Sequence, residues 1–318
     1  MRKSKSKQEE AALLEYWKTT RSKSTGKEFN LISMLDNKEL RAAARDRLET
    51  LDRIIDTIHK ACKNGRIKQL SKELLTEEYL LLQNRDNATA LHIATEFGHL
   101  DQIPKALLTQ KNLLMQDCGG NTVFQIAARY RHLHTLPQEL LTEENLTVKD
   151  MDGYTVFHVA CPKQIPSALM TEANILRVSN NGSTALHCMA IVGGLNNVPR
   201  ELLTEQNLRT QDNRGRTVLQ TVFMEAAWYG RLDTIPRELF TEANLMITGE
   251  GTPLLAALVE TRGYSKSKEE VLELLLGIEF SEAIIPIVGR EWYDKNKQIC
   301  RQKNTLNTAQ TAPEVELF

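Results

Sequence analysis

The sequence repeats one seven-residue segment six times, and this repetition restricts the possible folds more than any other feature. The segment reads LLTEENL at residues 140–146, and the threonines of its six copies are Thr76, Thr109, Thr142, Thr171, Thr204 and Thr241. Successive threonines are 33, 33, 29, 33 and 37 residues apart. Self-similarity at such a period predicts a solenoid, because no single unit can bury its apolar face alone and each must pack on its neighbours.

A second sequence frame follows the copies. Its clear instances are NRDNATALHIA (84–94), DCGGNTVFQIA (117–127), DMDGYTVFHVA (150–160), SNNGSTALHCM (179–189) and DNRGRTVLQTV (212–222), with a weaker one, GEGTPLLAAL, at 249–258. Glycine or asparagine in the frame suits a tight turn, since both accept a positive φ. The threonine that follows is placed to cap a helix, and apolar residues at helical spacing come after it.

This unit resembles the ankyrin repeat, whose frame is D-x-x-G-x-T-P-L-H-x-A-x-x-x-G-H. The segment TALHIATEFGH at 89–99 follows the frame closely, and the resemblance covers residues 53–262. It implies an all-α ankyrin-repeat solenoid of stacked helix-turn-helix units with helical caps at both ends. It also implies that the recurring histidines, His92, His158 and His187, form hydrogen bonds that brace the turns.

One departure from the family is systematic, since a proline lies where the common repeat continues its second helix. The prolines are Pro104, Pro137, Pro166, Pro199 and Pro236. Because proline is tolerated only in the first turn of a helix, we expect a short second helix from about Pro104 to Leu108. The LLTxxNL segment then has two possible structures. It is either the end of this helix with its exit loop, or a further short turn that Thr109 and its equivalents cap. The residue pattern leaves both open.

The extent of the repeat divides the chain into four segments. We predict an N-terminal helical extension with a basic, mobile start at 1–52, the repeat array at 53–262, a C-terminal helical cap at 263–301 and a disordered tail at 302–318. Within the extension, residues 37–58 show helical periodicity. Residues 267–299 predict two helices, the second beginning near Ser281 or after Gly289.

Two repeats differ from the others in length by close to one helical turn, which is about 3.6 residues. The unit that contains Cys161 is four residues short, and the unit that contains Ala226 is four residues long. Neutral drift in a tolerant stack is the simpler interpretation. The alternative is that the short first helix leaves a notch that bears Arg129, Tyr130 and Arg131 on one side and Ile191 and Val192 on the other, while the long one presents Trp228 and Tyr229.

Composition and motifs exclude several classes of function. A formal net charge of −1 and a pI near 6.7 predict no general attraction to nucleic acid or anionic lipid. The five cysteines are scattered, and His132 and His134 have no cysteine or acidic pair beside them, so we predict no metal site and no cofactor. No phosphate-binding loop, nucleophile elbow or zinc-protease motif occurs, which predicts a non-catalytic protein.

No segment reaches the ~18 apolar residues that span a bilayer, and glutamates interrupt the N-terminal segment where a signal peptide would be apolar. We therefore expect a cytoplasmic protein that does not contact a membrane. The sequence leaves export as an effector open.

The leading hypothesis is a monomeric scaffold that binds another protein. Ankyrin-like arrays present a concave surface of turn tips and first helices, and the residue before each frame threonine varies here, as expected for recognition on a constant scaffold. Aromatic residues and arginine are enriched at binding hot spots. The candidate contacts are Arg129, Tyr130, Tyr154, Arg216, Trp228 and Tyr229. For each of them the alternative is an ordinary exposed residue.

Two alternative functions involve the ends of the chain. The C-terminal EVELF resembles the short peptides with which bacterial replication proteins dock a sliding clamp, and Leu317 and Phe318 would be the docking residues. The first 30 residues carry eight lysines and arginines against four glutamates, and Tyr16 and Trp17 could stack on bases. Either end would make the protein a replication- or DNA-associated adaptor.

Overall fold

The computed structural model describes residues 38–192, 195–229, 231–232, 235, 237–249, 252–260 and 268–310. The described residues form sixteen α-helices and one pair of two-residue strands, and the helices pack in sequential order. The predicted all-α class is therefore confirmed, and the sequential packing is consistent with a helical repeat solenoid. The chain divides into two compact units, Met1–Met170 (unit 1) and Thr171–Phe318 (unit 2).

Unit 1 alternates longer α-helices with four-residue ones up to its last helix, which is itself only four residues long. Its helices are α1 Lys38–Lys63, α2 Glu77–Leu80, α3 Ala90–Glu96, α4 Gln110–Leu113, α5 Val123–Arg129, α6 Glu143–Leu146 and α7 Val156–Val159. Its 3-10 turns are Ile67–Gln69, Leu100–Gln102, Lys105–Leu107, Leu133–Thr135, Gln138–Leu140, Pro162–Gln164 and Ser167–Leu169.

Unit 2 continues the same alternation and then changes to a different set of helices. Its α-helices are α8 Glu172–Ile175, α9 Ala185–Ile191, α10 Glu205–Leu208, α11 Val218–Trp228, α12 Glu242–Leu245, α13 Leu254–Glu260, α14 Lys268–Leu274, α15 Ile285–Val288 and α16 Arg290–Gln310. Its 3-10 turns in the described residues are Leu195–Asn197, Arg200–Leu202, Arg237–Leu239 and Glu282–Ile284. Strand β1, Thr248–Gly249, pairs antiparallel with β2, Thr252–Pro253.

The first helices α3, α5, α7, α9 and α11 each begin directly after a frame threonine. The threonines are Thr89, Thr122, Thr155, Thr184 and Thr217. At α5, Thr122 Oγ1 accepts a hydrogen bond from the backbone N–H of Gln125 (3.4 Å), and Gln125 Oε1 accepts one from the backbone N–H of Thr122 (2.7 Å). This capping box satisfies two N–H groups that the first turn of a helix leaves without an intrahelical partner. The predicted role of the threonine as a helix cap is confirmed.

One large apolar side chain, two residues after each frame threonine, lies in the core between repeats. These buried side chains are Leu91, Phe124 and Phe157 in unit 1 and Leu186, Leu219 and Leu254 in unit 2. Within unit 1, α1 packs on α3, α3 on α5, and α5 on α7; within unit 2, α9 packs on α11, and α11 on α13. Fully burying one such side chain contributes roughly 1.5–3 kcal/mol, so each first helix depends on its neighbours for stability.

The second half of a repeat consists of three short helical turns in place of one helix. After α3, these are the 3-10 turns Leu100–Gln102 and Lys105–Leu107, followed by α4. The short helix predicted from about Pro104 to Leu108 is therefore present, as a 3-10 helix whose caps are Pro104 and Leu108. Pro104 has no N–H to continue the preceding turn, and it lies directly before the second 3-10 turn. Of the two alternatives for LLTxxNL, the separate capped turn is correct, because Thr109 caps α4.

Both predicted length changes are present in the first helices. Helices α3, α5 and α9 have seven residues, whereas α7 has four and α11 has eleven. Helix α7 ends at Val159 because Ala160 and Cys161 adopt extended backbone before Pro162, and the residue before a proline disfavours the helical conformation.

The two ends of the described chain differ in part from the predicted segments. Helix α1 runs through the predicted boundary between residues 52 and 53, and its buried side chains include Leu51, Ile55 and Ile58. At the other end, α16 begins directly after Gly289 and continues to Gln310. Helix α16 thus extends past the segment boundary predicted at residue 301, and no proline or glycine interrupts the sequence before Pro313.

Some predicted features lie outside the described residues. These are the basic start with Tyr16 and Trp17, the EVELF segment with Leu317 and Phe318, and Pro236.

Candidate functional site

The turns that precede the first helices are linked to one another in each unit. In unit 1, Asp117 Oδ1 accepts a hydrogen bond from the backbone N–H of Gly119 (2.9 Å), and the Gly119 carbonyl accepts one from the N–H of Met151 in the next repeat (3.0 Å). In unit 2, the N–H of Asn213 donates to the carbonyl of Asn181, one repeat earlier, at 3.1 Å. The turn tips therefore form hydrogen-bonded rows on a rigid base.

The histidine three residues after a frame threonine braces two repeats. His92 Nδ1 accepts the N–H of Thr89 (3.2 Å), and His92 Nε2 lies 3.0 Å from the carbonyl oxygen of Met115 and 3.2 Å from that of Asn121. A neutral ring with its proton on Nε2 fits these partners. Burial lowers the pKa of His92, which favours the same neutral form. The bracing role that the resemblance implied is confirmed for His92.

Other repeats use the same position in the same way. His187 Nε2 lies 3.1 Å from the carbonyl oxygen of Arg216 in the next repeat, and burial lowers the pKa of His187. Gln125 Nε2 donates to the carbonyl of Tyr154 at 2.8 Å. Histidine and glutamine are interchangeable here because each offers one acceptor to its own turn and one donor to the next repeat.

The asparagine of the LLTxxNL segment was not among the residues whose role the sequence predicted. Its copies are Asn112, Asn145, Asn174, Asn207 and Asn244, while the first segment has Tyr79 instead. Asn112 is buried, its Nδ2 donates to the carbonyl of Leu107 (3.0 Å), and its backbone N–H donates to Thr109 Oγ1 (3.3 Å). The side chain thus joins the last two helical turns of the repeat. Its recurrence in five of the six copies was the signal that could have identified it.

Two of the candidate contacts lie together at the end of α5 in unit 1. Arg129 is exposed and its Nη2 donates to Asn121 Oδ1 at the turn tip (3.1 Å). Tyr130 is exposed, and its hydroxyl donates to Glu96 Oε1 at 3.1 Å. Burial and the neighbouring Glu96 carboxylate raise the pKa of Tyr130. Both side chains are therefore accessible but already have partners within the unit.

Tyr154 and Arg216 occupy turn tips, one in each unit, and both support their own turns. Tyr154 is half-buried, with its ring centroid 5.4 Å from that of His158. The guanidinium of Arg216 bonds to Asp212 Oδ2, at 2.9 Å from Nη2 and 3.1 Å from Nε. Because these groups stabilise the tips, they are weaker candidates for partner contacts than exposed side chains of the first helices.

In unit 2, exposed apolar side chains cluster at the ends of two neighbouring first helices. Trp228 (59% exposed) and Tyr229 (58%) lie at the end of α11, and Ile191 (45%) and Val192 (59%) lie at the end of α9, which packs against α11. We call these four side chains the apolar rim. The guanidinium carbon of Arg231 lies 4.9 Å from the centroid of the Tyr229 ring. Candidates Trp228 and Tyr229 thus lie on a helix that packs against the one carrying Ile191 and Val192, which the sequence had placed at the predicted notch.

A cleft of about 500 Å³ lies beside the apolar rim. Its apolar lining includes Ala190, Leu195, Val198, Val222, Ala226 and Ile235. The charged side chains among the described lining residues are those of Arg200, Glu225 and Arg231. Sites for small molecules and side-chain anchors usually have volumes of roughly 300–1,000 Å³, so the cleft is large enough to receive part of a ligand.

The described residues show little that indicates catalysis. Burial raises the pKa of Cys62 to about 12 and that of Cys188 to about 11, so both thiols are protonated near neutral pH and are poor nucleophiles. No group of three or more His, Cys, Asp or Glu side chains in the described part of the chain could hold a metal ion. Likewise, no helix there is long and apolar enough to cross a membrane.

The sequence matches no protein-family model and no curated protein. One solved structure that it matches is that of a predatory endopeptidase from Bdellovibrio bacteriovorus in complex with an immunity protein. The matched chain is 24% identical, the match covers 53% of this chain and 91% of that chain, and the TM-score is 0.42. At this level the similarity carries no functional inference.

Proposed function

We propose that this chain is a non-catalytic scaffold of the ankyrin type that binds another protein through the apolar rim of unit 2. The exposure of Ile191, Val192, Trp228 and Tyr229 on two adjacent helices carries this proposal. A cluster of large apolar side chains left in contact with water marks an interaction site in most soluble proteins. Tryptophan and tyrosine are also among the residues that contribute most to binding when a partner covers them.

The assignment to the ankyrin type is supported by the arrangement of the repeat. Capping threonines, bracing histidines and hydrogen-bonded turn tips occur at equivalent positions of successive repeats. They produce a stiff base from which the ends of the first helices project. Rigid elements are suited to a binding surface because little conformational entropy is lost when the partner docks.

Affinity purification of the tagged full-length chain tests the proposal. The variant Trp228→Ala/Tyr229→Ala removes the two aromatic side chains of the rim. If each contributes about 2 kcal/mol to binding, as hot-spot residues do, the affinity of the partner should fall by more than a hundred-fold. A co-purifying protein should therefore be recovered with the wild-type chain and be lost with the variant.

The matched control is Glu205→Ala/Arg209→Ala, which removes an exposed ion pair of 2.9 Å that includes no residue of the rim. Exposed pairs contribute little to stability, so this variant should retain the partner. Circular dichroism must show that both variants are folded. Equal recovery of every co-purifying protein by the wild-type chain and the rim variant would refute the proposal.

A further inference from the structure

The cleft beside the apolar rim combines apolar walls with two arginines, and we infer that it binds an acidic peptide segment that carries an apolar side chain. This inference rests on the proposed function, since it assigns the chemistry of the partner at the same surface. Arg231 joins the two features, because it lines the cleft and also lies over the ring of Tyr229.

The extra turn of α11 accounts for the cleft. Helix α11 has eleven residues where its neighbour α9 has seven, so it is longer by about 6 Å. Glu225 and Ala226 of this additional length face the space beside Leu195 and Val198, which follow the shorter α9. Both helices contribute an alanine to the lining, Ala190 and Ala226, and such short side chains leave the space open. An apolar side chain of a partner could fill it.

The charges of the lining favour an acidic occupant. Arg200 is exposed and has no ion-pair partner among the described residues. Glu225 is the only carboxylate among the described lining residues, so the two arginines give this lining a net positive charge. Guanidinium groups form bidentate bonds with carboxylates. These bonds are stronger beside an apolar wall than in bulk water, because the local dielectric constant is lower.

A peptide fits both the apolar walls and the positive charge of the cleft better than a nucleic acid does. Phosphates could pair with Arg200 and Arg231, but a nucleic-acid backbone would leave the apolar walls without a partner. An extended peptide can place one side chain in the cleft and a carboxylate against the guanidinium of Arg200, while Arg231 adds a second positive charge to the lining. Its neighbouring residues could then contact the apolar rim through Tyr229, which Arg231 already touches.

Selection of random twelve-residue peptides by phage display on the full-length chain tests this inference. We expect the enriched peptides to carry net negative charge together with at least one large apolar residue. Their affinity, measured by fluorescence anisotropy, should fall at least ten-fold, or about 1.4 kcal/mol, for Arg200→Glu/Arg231→Glu. Replacing the apolar residue of a selected peptide by glycine should also abolish binding.

The control variant Arg209→Glu/Arg214→Glu makes the same change of net charge at two exposed arginines that are not part of the cleft lining. It should change the affinity by less than about two-fold, since surface charges act mainly through screened, long-range attraction. Enrichment of neutral or basic peptides, no enrichment at all, or equal losses in the two variants would overturn the inference. Loss of a natural partner from the rim variant but not from Arg200→Glu/Arg231→Glu would leave the proposed function standing and refute the inference alone.

Discussion

Replacing Asn112 by alanine should destabilise its repeat more than the same replacement at Asn244. Each side chain donates from Nδ2 to the carbonyl five residues earlier, Asn112 to Leu107 at 3.0 Å and Asn244 to Leu239 at 3.0 Å. The bond of Asn112 is buried, whereas that of Asn244 is partly exposed. Alanine at 112 leaves a buried carbonyl without this donor, which costs about 1–3 kcal/mol in addition to a small cavity. We therefore expect a loss of about 2–3 kcal/mol at 112.

At position 244, water can reach the carbonyl and replace the lost donor, so the expected loss is about 1 kcal/mol. Native-state hydrogen exchange with mass spectrometry measures both effects, because it reports local opening free energies in each segment separately. The amides of 105–114 should lose protection in the first variant, and those of 237–246 should lose less in the second. A loss at 112 that is no larger than the loss at 244 would refute the reasoning from burial.

Two further predictions concern single positions of the repeat. Folding lowers the pKa of His92 and of His187 below the ordinary value of 6.5. The unfolded state therefore binds protons more readily than the folded state. The protein should lose stability as the pH falls from about 6.5 through the lowered pKa values. The variant His92→Gln/His187→Gln, which copies the residue type found at Gln125, should show a smaller drop in Tm between pH 7.5 and 5.5, and an equal drop would count against this cause. Arg131 has a φ of 65° at the position where Gly98 has a φ of 76°. The variant Arg131→Gly should raise the free energy of unfolding in urea by about 0.5–1 kcal/mol, because glycine relieves the left-handed backbone strain at some cost in entropy. A lower free energy of unfolding would show that Arg131 is not strained.

Sequence analysis predicted the first half of each repeat well because its signals are local. Thr122 and Gln125 lie three residues apart and cap the same helix, so their spacing alone specifies the contact. The length of α11 was also predictable, since a four-residue insertion preserves the helical phase.

The second half of the repeat was less predictable because two conformations compete for the same sequence. A run such as IPKALLTQKNL suits either a short helix with an exit loop or separate turns, since proline permits both at the start of a helix. The bonds of Asn112 to Leu107 and to Thr109 Oγ1 favour the separate turns. The sequence pattern shows that the asparagine recurs, but it does not show which group the side-chain amide bonds to.

The candidate site was predicted from residue type, and residue type does not show which side chains already have partners. Arg216 was a candidate, yet its guanidinium is bound to Asp212. Ile191 and Val192 were predicted to line a notch beside the short first helix, but the sequence could not show how far they are exposed, and both are exposed. The cleft also required structure, because its lining comes from segments that only the packing of α9 against α11 brings together.

The first helices differ in length only where they end. Their starts are fixed by the frame threonines and by the bonds that His92 or Gln125 makes to the following repeat. A turn gained or lost at the far end disturbs none of these bonds. A change in length at the far end of one first helix, as in α11, therefore alters the surface at that end alone, while the bonds at its start stay the same as in the other repeats.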